Sequence, residues 1–122
     1  MNVLIIGGST DIGISLAKKL VDTSNEVIIT YNKHKVDIPY IDSYKCDIRY
    51  EDEIDKIIRI ANERFNNDYI LINMASISMD NSILNKTKNE MMSVLEVNLV
   101  GTFLCNQIYS RYNSLGLIVN IS

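Results

Sequence analysis

The sequence predicts an α/β protein, a three-layer α/β/α sandwich around a mostly parallel sheet. Two observations carry this prediction. Short, dense apolar runs alternate with longer segments whose apolar residues recur at helical spacing, and the first run passes directly into a helix through a glycine-containing turn, 7–13. Because 122 residues suit one hydrophobic core and are too few for two, we expect one domain that comprises residues 1–122.

Five segments have the pattern of strands. Four are rich in β-branched residues and show no polar alternation, as expected for parallel strands that are covered on both faces: 3–6, 27–30, 69–72 and 117–119. A fifth, weaker strand is expected at 41–45. Crossover connections of a single hand make 3-2-1-4-5 the natural strand order, with the sheet ending after the fifth strand.

Two helices are predicted between these strands. In the first, Ile12, Leu16 and Leu20 recur at one-turn spacing. The second has apolar residues at i, i+3, i+4, i+7 and i+11, namely Ile54, Ile57, Ile58, Ala61 and Phe65. This spacing places the apolar residues of each helix on one face, which we expect to pack against the sheet.

A third helix is expected to begin at Thr87. The segment Thr87-Lys88-Asn89-Glu90 has the S/T-x-x-E form of a capping box, in which the first and last side chains satisfy free backbone N–H groups. One apolar stripe is then expected to run through Met91, Leu95, Leu99 and Thr102. We interpret its methionine as core filling and not as a ligand.

Composition narrows the possible partners. A net charge of -3 disfavours a nucleic-acid surface, which requires clustered Lys and Arg. No run approaches the roughly 20 apolar residues that span a bilayer, and no basic leader precedes the first apolar run. We therefore expect a cytoplasmic protein that binds neither nucleic acid nor membrane.

The residues that commonly bind metals are isolated here. Cys46 and Cys105 have neither CxxC spacing nor a neighbouring His, which favours buried, reduced thiols over a zinc or redox site. The single histidine, His34, lies between two lysines and is expected to be solvated. No metal site is predicted.

The turn after the first strand has the features of an anion site. Gly7 can adopt the conformation of a tight turn, and Gly13 can allow close packing of the helix on the sheet. The N-terminus of that helix would present free N–H groups and a positive dipole end, with the hydroxyls of Ser9 and Thr10 nearby. The alternative is an ordinary βα turn that needs glycine for backbone reasons alone.

Five segments occur in the order that one family has them. They are Gly7-x-x-x-Asp11-Ile12-Gly13, Cys46-Asp47-Ile48, Asn73-Met74-Ala75-Ser76, Asn98-Leu99-Val100-Gly101-Thr102 and Ile118-Val119-Asn120-Ile121-Ser122. Together they resemble the front half of a short-chain dehydrogenase/reductase of the classical type, similar to 3-oxoacyl-[acyl-carrier-protein] reductases. The resemblance implies a Rossmann-type fold that binds a nicotinamide dinucleotide.

The resemblance also implies roles for individual residues. The family's Asp after the third strand contacts adenine, the segment after the fourth strand lines the ribose and nicotinamide side, and an Asn of the fifth helix completes a proton relay. Asn98 therefore corresponds to a catalytic residue. The implied cofactor-binding residues are Gly7, Ser9, Thr10, Asp11, Ile12, Gly13, Tyr31, Asn32, Lys33, Asp47, Ile48, Asn73, Ala75 and Ser76.

The end of the second strand indicates which dinucleotide is preferred. An acidic residue there would bind the 2′-hydroxyl of NAD, and none is present. The segment Tyr31-Asn32-Lys33-His34-Lys35 instead offers positive charge to the 2′-phosphate of NADP, so NADP(H) is preferred over NAD(H). The alternative is a solvated basic loop.

Three residues depart from the family pattern. Asp11 replaces the middle glycine of the turn and would repel a pyrophosphate; the alternative is that it caps the helix. Met74 and Ser76 replace an Asn and a Gly of their segment. For Asp47, the alternative to a cofactor contact is a cap on the following helix, and both roles can coexist.

Ser122 aligns with the residue before the family's catalytic Ser, and no Tyr-x-x-x-Lys follows it. We therefore expect a cofactor-binding part of an oxidoreductase that transfers no hydride by itself. A full-length relative would reduce a small-molecule carbonyl, such as a 3-oxoacyl thioester. The alternative is a non-catalytic nucleotide-binding or interaction module, and in either case the open apolar edge at 117–119 favours self-association. A receiver domain is disfavoured because no acidic residues follow the first strand.

Overall fold

The computed structural model describes every residue from Met1 to Ser122. It contains one five-stranded sheet in the order β3-β2-β1-β4-β5, and all four strand pairings are parallel. The strands are β1 (Asn2–Ile6), β2 (Glu26–Tyr31), β3 (Asp42–Lys45), β4 (Ile70–Asn73) and β5 (Leu117–Asn120). The predicted strands and their order are confirmed, and the bounds differ by no more than about one residue at either end.

Helices cover both faces of the sheet. They are α1 (Asp11–Asp22), α2 (Glu51–Phe65), α3 (Lys88–Leu95) and α4 (Thr102–Tyr112), and a π-helical segment, Glu96–Gly101, joins α3 to α4. Helix α1 packs on one face, whereas α2 and α4 pack on the other with the larger of the two hydrophobic clusters. The predicted three-layer sandwich is therefore confirmed.

The apolar face of α2 is buried as its spacing predicts: Ile54, Ile57, Ile58, Ala61 and Phe65. Each fully buried isoleucine stabilises the fold by about 1.5–3 kcal/mol relative to an exposed one. The prediction for α1 was wrong at its first residue, since Ile12 is 73% exposed. Gly13 and Ala17 are the residues of α1 buried against the rest of the fold, which turns Ile12 towards solvent.

The third predicted helix begins where expected, because the Thr87 side chain accepts a hydrogen bond from the N–H of Glu90 at 3.1 Å. The predicted stripe was wrong: Met91, Leu95 and Leu99 are exposed. The buried residues of this helix lie on another face: Gly101, Cys105, Ile108 and Tyr109. The π segment adds about one residue to a turn and so shifts the phase of every later position, which regular 3.6-residue spacing cannot reveal.

Helices α3 and α4 with the π segment form one continuous helix, Lys88–Tyr112. This 25-residue helix contains an 18-residue stretch with a mean hydropathy of 1.2, which makes it long and apolar enough to cross a membrane by length and composition alone. Asn106 of this helix nevertheless bonds to the side chain of Asn73 in β4, as a helix packed on the sheet does. The absence of membrane contact and the cytoplasmic location stay predictions.

Both cysteines are buried and unpaired, as predicted. Burial raises the pKa of the Cys46 thiol to about 12, and it also raises the pKa of Cys105. Both thiols are therefore protonated at neutral pH and inert as nucleophiles. His34 is exposed, also as predicted.

Candidate functional site

A cleft opens at the carboxyl edge of the sheet, where β1 to β4 end. Its lining residues are Gly7, Ser9, Thr10, Tyr31, Asn32, Cys46, Asp47, Ile48, Ala75, Ser76, Ile77 and Val97. The cleft holds about 130 Å³. Closed small-molecule pockets hold roughly 300–1,000 Å³, so an extended ligand would lie along this cleft rather than inside it.

The glycine turn forms one wall of the cleft. Gly7 has a φ of +79°, a conformation that residues with a Cβ rarely adopt. A Cβ at this position would also lie 2.5 Å from the backbone N and Cα of Ala75. The N–H of Gly7 donates to the buried Thr30 hydroxyl at 2.9 Å, which fixes the turn against β2. Both the conformation and the close approach therefore require glycine.

Helix α1 begins directly after this turn. The Thr10 hydroxyl accepts a hydrogen bond from the N–H of Gly13 at 3.1 Å and so caps the helix. The N–H groups of Asp11 and Ile12 have no hydrogen-bond partner within the chain. The predicted role of Gly13 needs correction: a Cβ at this position would lie 2.7 Å from the Gly8 carbonyl oxygen, so Gly13 packs on the turn itself.

Asp11 does not cap the helix, because Thr10 does. It occupies the first helical position, where a carboxylate interacts favourably with the helix dipole. Its side chain lines a separate, open groove on the outer side of α1 with Ile12, Ser15 and Lys19. The anticipated repulsion between this carboxylate and an anion in the cleft is therefore weaker than the sequence pattern suggested.

Asp47 lies buried in the cleft wall between β3 and α2. The Arg49 guanidinium donates to both of its carboxylate oxygens, and these hydrogen bonds are the largest cause of the lowered pKa of Asp47. Burial opposes this effect. Asp47 does not cap α2, since the N-cap residue is Tyr50 and no side chain bonds there. That alternative is wrong.

Asn98 lies in the π segment and does not line the cleft. Its side chain accepts a hydrogen bond from the Ile77 N–H at 2.8 Å and donates to the Ile77 carbonyl at 2.9 Å. Both ends of the amide are thus used to hold the backbone of a cleft residue. Asn98 supports the wall that Ala75, Ser76 and Ile77 form.

Asn73 is buried below the cleft and does not line it. Its side-chain NH2 donates to the side-chain oxygens of Asn106 at 2.6 Å and of Asn120 at 2.8 Å. These two bonds join β4 to α4 and to β5. They fix the strand end from which the cleft wall continues.

The cleft brings together nine of the residues named from the sequence as cofactor-binding: Gly7, Ser9, Thr10, Tyr31, Asn32, Asp47, Ile48, Ala75 and Ser76. Five others lie outside its lining: Asp11, Ile12, Gly13, Lys33 and Asn73. Sequence reasoning missed Cys46, Ile77 and Val97. Each of them is next in sequence to a residue that was predicted for the site, and this proximity in sequence is the signal by which it could have been found.

A larger cavity of about 400 Å³ lies at the opposite edge of the sheet, near Tyr69, Asn113 and Leu117. No helix N-terminus lines it. Parallel α/β sheets bind ligands at the carboxyl ends of their strands, which favours the smaller cleft as the functional site.

Comparison with known proteins decides the family. The sequence profile of the family described as short chain dehydrogenase matches residues 1–122. The chain belongs to the short-chain dehydrogenase family. This membership confirms the resemblance that the five sequence segments indicated.

Among curated short-chain dehydrogenase relatives, a 3-oxoacyl-[acyl-carrier-protein] reductase from Synechocystis sp. is 25% identical. The match covers 98% of this chain and 54% of that relative. The chain spans about half the length of the curated relatives it matches, 41% of one and 54% of another.

Solved structures share the fold, among them a short chain dehydrogenase. One, from Leptospira borgpetersenii with bound NAD+, is 32% identical with a TM-score of 0.85, over 98% of this chain and 50% of that one. Another, ElxO with NADP bound, is 27% identical with a TM-score of 0.86, over 99% of this chain and 54% of that one. The two neighbours thus hold different nicotinamide dinucleotides.

Proposed function

We propose that the cleft binds a nicotinamide dinucleotide, and that these residues are the cofactor-binding part of an oxidoreductase. The approach of Gly7 to Ala75 carries this proposal. Gly7 and the following Gly8 carry no side chains, and beside them the N–H groups of Asp11 and Ile12 at the helix start are free, a cradle that suits a pyrophosphate. The residues present therefore fit the cofactor.

Each part of the cleft suits one part of a dinucleotide. Ser9 and Thr10 would bind the phosphates together with the free N–H groups of the helix. Asp47 and Ile48 would contact the adenine, and Ala75 and Ser76 would line the ribose on the nicotinamide side. Asn73, Gly13 and Asn98 act indirectly in this proposal, because they hold the backbone that forms the site.

NADP(H) is the proposed cofactor in preference to NAD(H). Tyr31 and Asn32 line the cleft where β2 ends, and the exposed Lys33 follows them. Lys35 is paired with Asp37 at 3.7 Å, which leaves Lys33, next in sequence to Asn32, as the unpaired cation for a 2′-phosphate. One solved neighbour holds NAD+ and another holds NADP, which supports a nicotinamide dinucleotide as the ligand. The two do not favour either dinucleotide, so the preference for NADP(H) rests on the residues just named.

The chemistry proposed for a whole protein of this type is carbonyl reduction, in which the bound cofactor supplies the hydride. The Synechocystis relative, a 3-oxoacyl-[acyl-carrier-protein] reductase, makes a 3-oxoacyl thioester the proposed substrate. Within residues 1–122, Asn98 uses both ends of its side chain to hold Ile77. We therefore propose that these residues contribute the cofactor site to that reaction.

Thermal unfolding with NADPH, with NADH and without ligand tests the proposal. A ligand that binds only the folded state must raise the apparent stability, by about 2.7 kcal/mol at a hundredfold excess over its Kd. We expect a larger rise with NADPH than with NADH, and Lys33→Ser should remove the difference. Lys35→Ser is the matched control and should leave it. A melting temperature that neither dinucleotide changes would contradict the proposal.

A second proposal concerns the open edge of the sheet. Leu117 is 57% exposed and Ile121 is 50% exposed, and no charged residue occurs from Asn113 to Ser122. The other edge strand, β3, carries Asp42 and Lys45, charges of the kind that prevent edge pairing. We therefore propose that the 122-residue chain self-associates through β5.

A further inference from the structure

The cavity of about 400 Å³ lies at the amino edge of the sheet, where the strands begin. Two loops supply most of its lining: 66–69 joins α2 to β4, and 113–116 joins α4 to β5. The loops lie side by side because β4 pairs with β5. Small-molecule pockets typically hold roughly 300–1,000 Å³, so this amino-edge cavity is large enough for a small organic molecule.

Asn113 lines the amino-edge cavity and is only 7% exposed. Its side-chain NH2 donates to the Asn62 side-chain oxygen and to the Tyr109 carbonyl, both at 3.1 Å. Its Oδ1 is buried and accepts no hydrogen bond. Buried polar atoms nearly always have a partner, because an unpaired acceptor loses its bonds to water and gains nothing in return. A ligand with an N–H or O–H group would supply the missing donor.

The charges around the amino-edge cavity favour a cation. Helices α2 and α4 both end at this edge, at Phe65 and Tyr112, and the C-terminus of a helix carries partial negative charge. The Asp68 carboxylate lines the cavity and takes part in none of the ion pairs of the chain. No Lys, Arg or His lines the cavity. The N-terminal ammonium belongs to a lining residue, Met1, but it forms no ion pair with Asp68.

We propose that the amino-edge cavity is a second binding site, which takes a small organic amine in its ammonium form. The ammonium group donates to Oδ1 of Asn113 and lies in the same cavity as the Asp68 carboxylate. The apolar body of the amine contacts Leu115 and Leu117, which are 99% and 57% exposed, and the ring of Tyr112. This site is independent of the dinucleotide cleft, which lies at the other edge of the sheet.

Nuclear magnetic resonance of the amide groups of the 122-residue chain during titration with 2-phenylethylamine tests the proposal. We expect shifts at Asp68 and Tyr69, from Asn113 to Leu117 and at the side-chain NH2 of Asn113, with none at residues 7–13. The neutral alcohol 2-phenylethanol keeps a donor without the charge and should bind roughly tenfold more weakly, because charge-assisted hydrogen bonds are stronger. Phenylacetate, an anion of similar size, should not bind.

Asp68→Asn removes the carboxylate of the cavity and disturbs no hydrogen bond of the chain, since only the Asp68 backbone forms one. This variant should bind 2-phenylethylamine roughly threefold more weakly, as expected for an exposed charge, and bind 2-phenylethanol as the parent chain does. Asp80→Asn is the matched control, because it removes an exposed carboxylate outside the cavity and should change neither affinity. Circular dichroism checks the fold of both variants.

Two results on the parent chain would overturn the proposal, and neither requires a variant to fold. One is the absence of shifts at the residues of the amino-edge cavity at millimolar 2-phenylethylamine. The other is equal binding of the amine, the alcohol and the anion, which would show that the cavity does not select a cation. An Asp68→Asn variant that binds the amine as tightly as Asp80→Asn would exclude the role of Asp68.

Discussion

Gly7 and Ala75 lie so close together that a methyl group on Gly7 would stand 2.5 Å from the Ala75 backbone. The two residues follow β1 and β4, neighbouring strands whose carboxyl ends meet at the cleft. This approach couples the turn to the opposite wall. The shape of the site therefore depends on one absent side chain.

Gly7→Ala should destabilise the fold by about 2–5 kcal/mol, since a positive φ costs a residue with a Cβ about 1–2 kcal/mol and overpacking adds about 1–3 kcal/mol. Urea denaturation measures this difference. Ser78→Ala, a change on an exposed loop, serves as the control and should stay within about 0.5 kcal/mol of the parent. A Gly7→Ala variant as stable as this control would contradict the close approach.

Asn98→Ala should free the backbone of Ile77, because it removes both hydrogen bonds that the Asn98 side chain makes. We expect a loss of about 1 kcal/mol and faster hydrogen exchange at the Ile77 amide, since each exposed bond contributes modestly. Asn89→Ala is the matched control, as the Asn89 side chain makes no hydrogen bond. Unchanged exchange at Ile77 would refute this role.

Asn73→Asp should cost about 2–3 kcal/mol at pH 7, because two hydrogen bonds become contacts between unpaired oxygens in a buried site. Asn120→Asp is a close control: it keeps the oxygen that accepts from Asn73. Chemical denaturation measures the free energy of unfolding of both variants. Asn73→Asp loses a hydrogen-bond donor, whereas Asn120→Asp keeps the hydrogen-bond acceptor. Equal stabilities would show that the direction of these bonds is wrong.

Val119→Lys should reduce self-association. Val119 lies in the middle of the open edge strand and is 37% exposed, so a charge there would oppose pairing with a second copy. Light scattering after size-exclusion chromatography should show a parent mass that rises with concentration and a variant near the monomer mass of 13.9 kDa. A parent chain that is monomeric at all concentrations would exclude pairing through β5.

The strands were predictable because a buried parallel strand needs an uninterrupted apolar run. The sequence from Val3 to Ile6 has that pattern, and each of these residues is at most 1% exposed. The face of α2 was predictable for the same reason. Both depend on local spacing, and the structure keeps that spacing regular.

Long-range contacts account for what the sequence did not reveal. The stripe expected at Met91 and Leu95 failed because α3 buries none of its residues, and the π segment then changes the phase of the helix for Leu99 and the positions after it. Asp47 and Arg49 are only two residues apart, but the sequence does not reveal that Asp47 is buried while its partner Arg49 is exposed. Neither the orientation of Asp11 nor the support of Ile77 by Asn98 follows from motif spacing.

Nuclear magnetic resonance of the amide groups during titration with NADP+ tests the central claim most directly. The account predicts shifts at residues 7–13, at Asp47 and Ile48, and from Ala75 to Ile77, with no shift near Tyr69 and Asn113 at the opposite edge. Shifts confined to that opposite edge, or none at millimolar NADP+, would contradict the assignment of this cleft as a dinucleotide site.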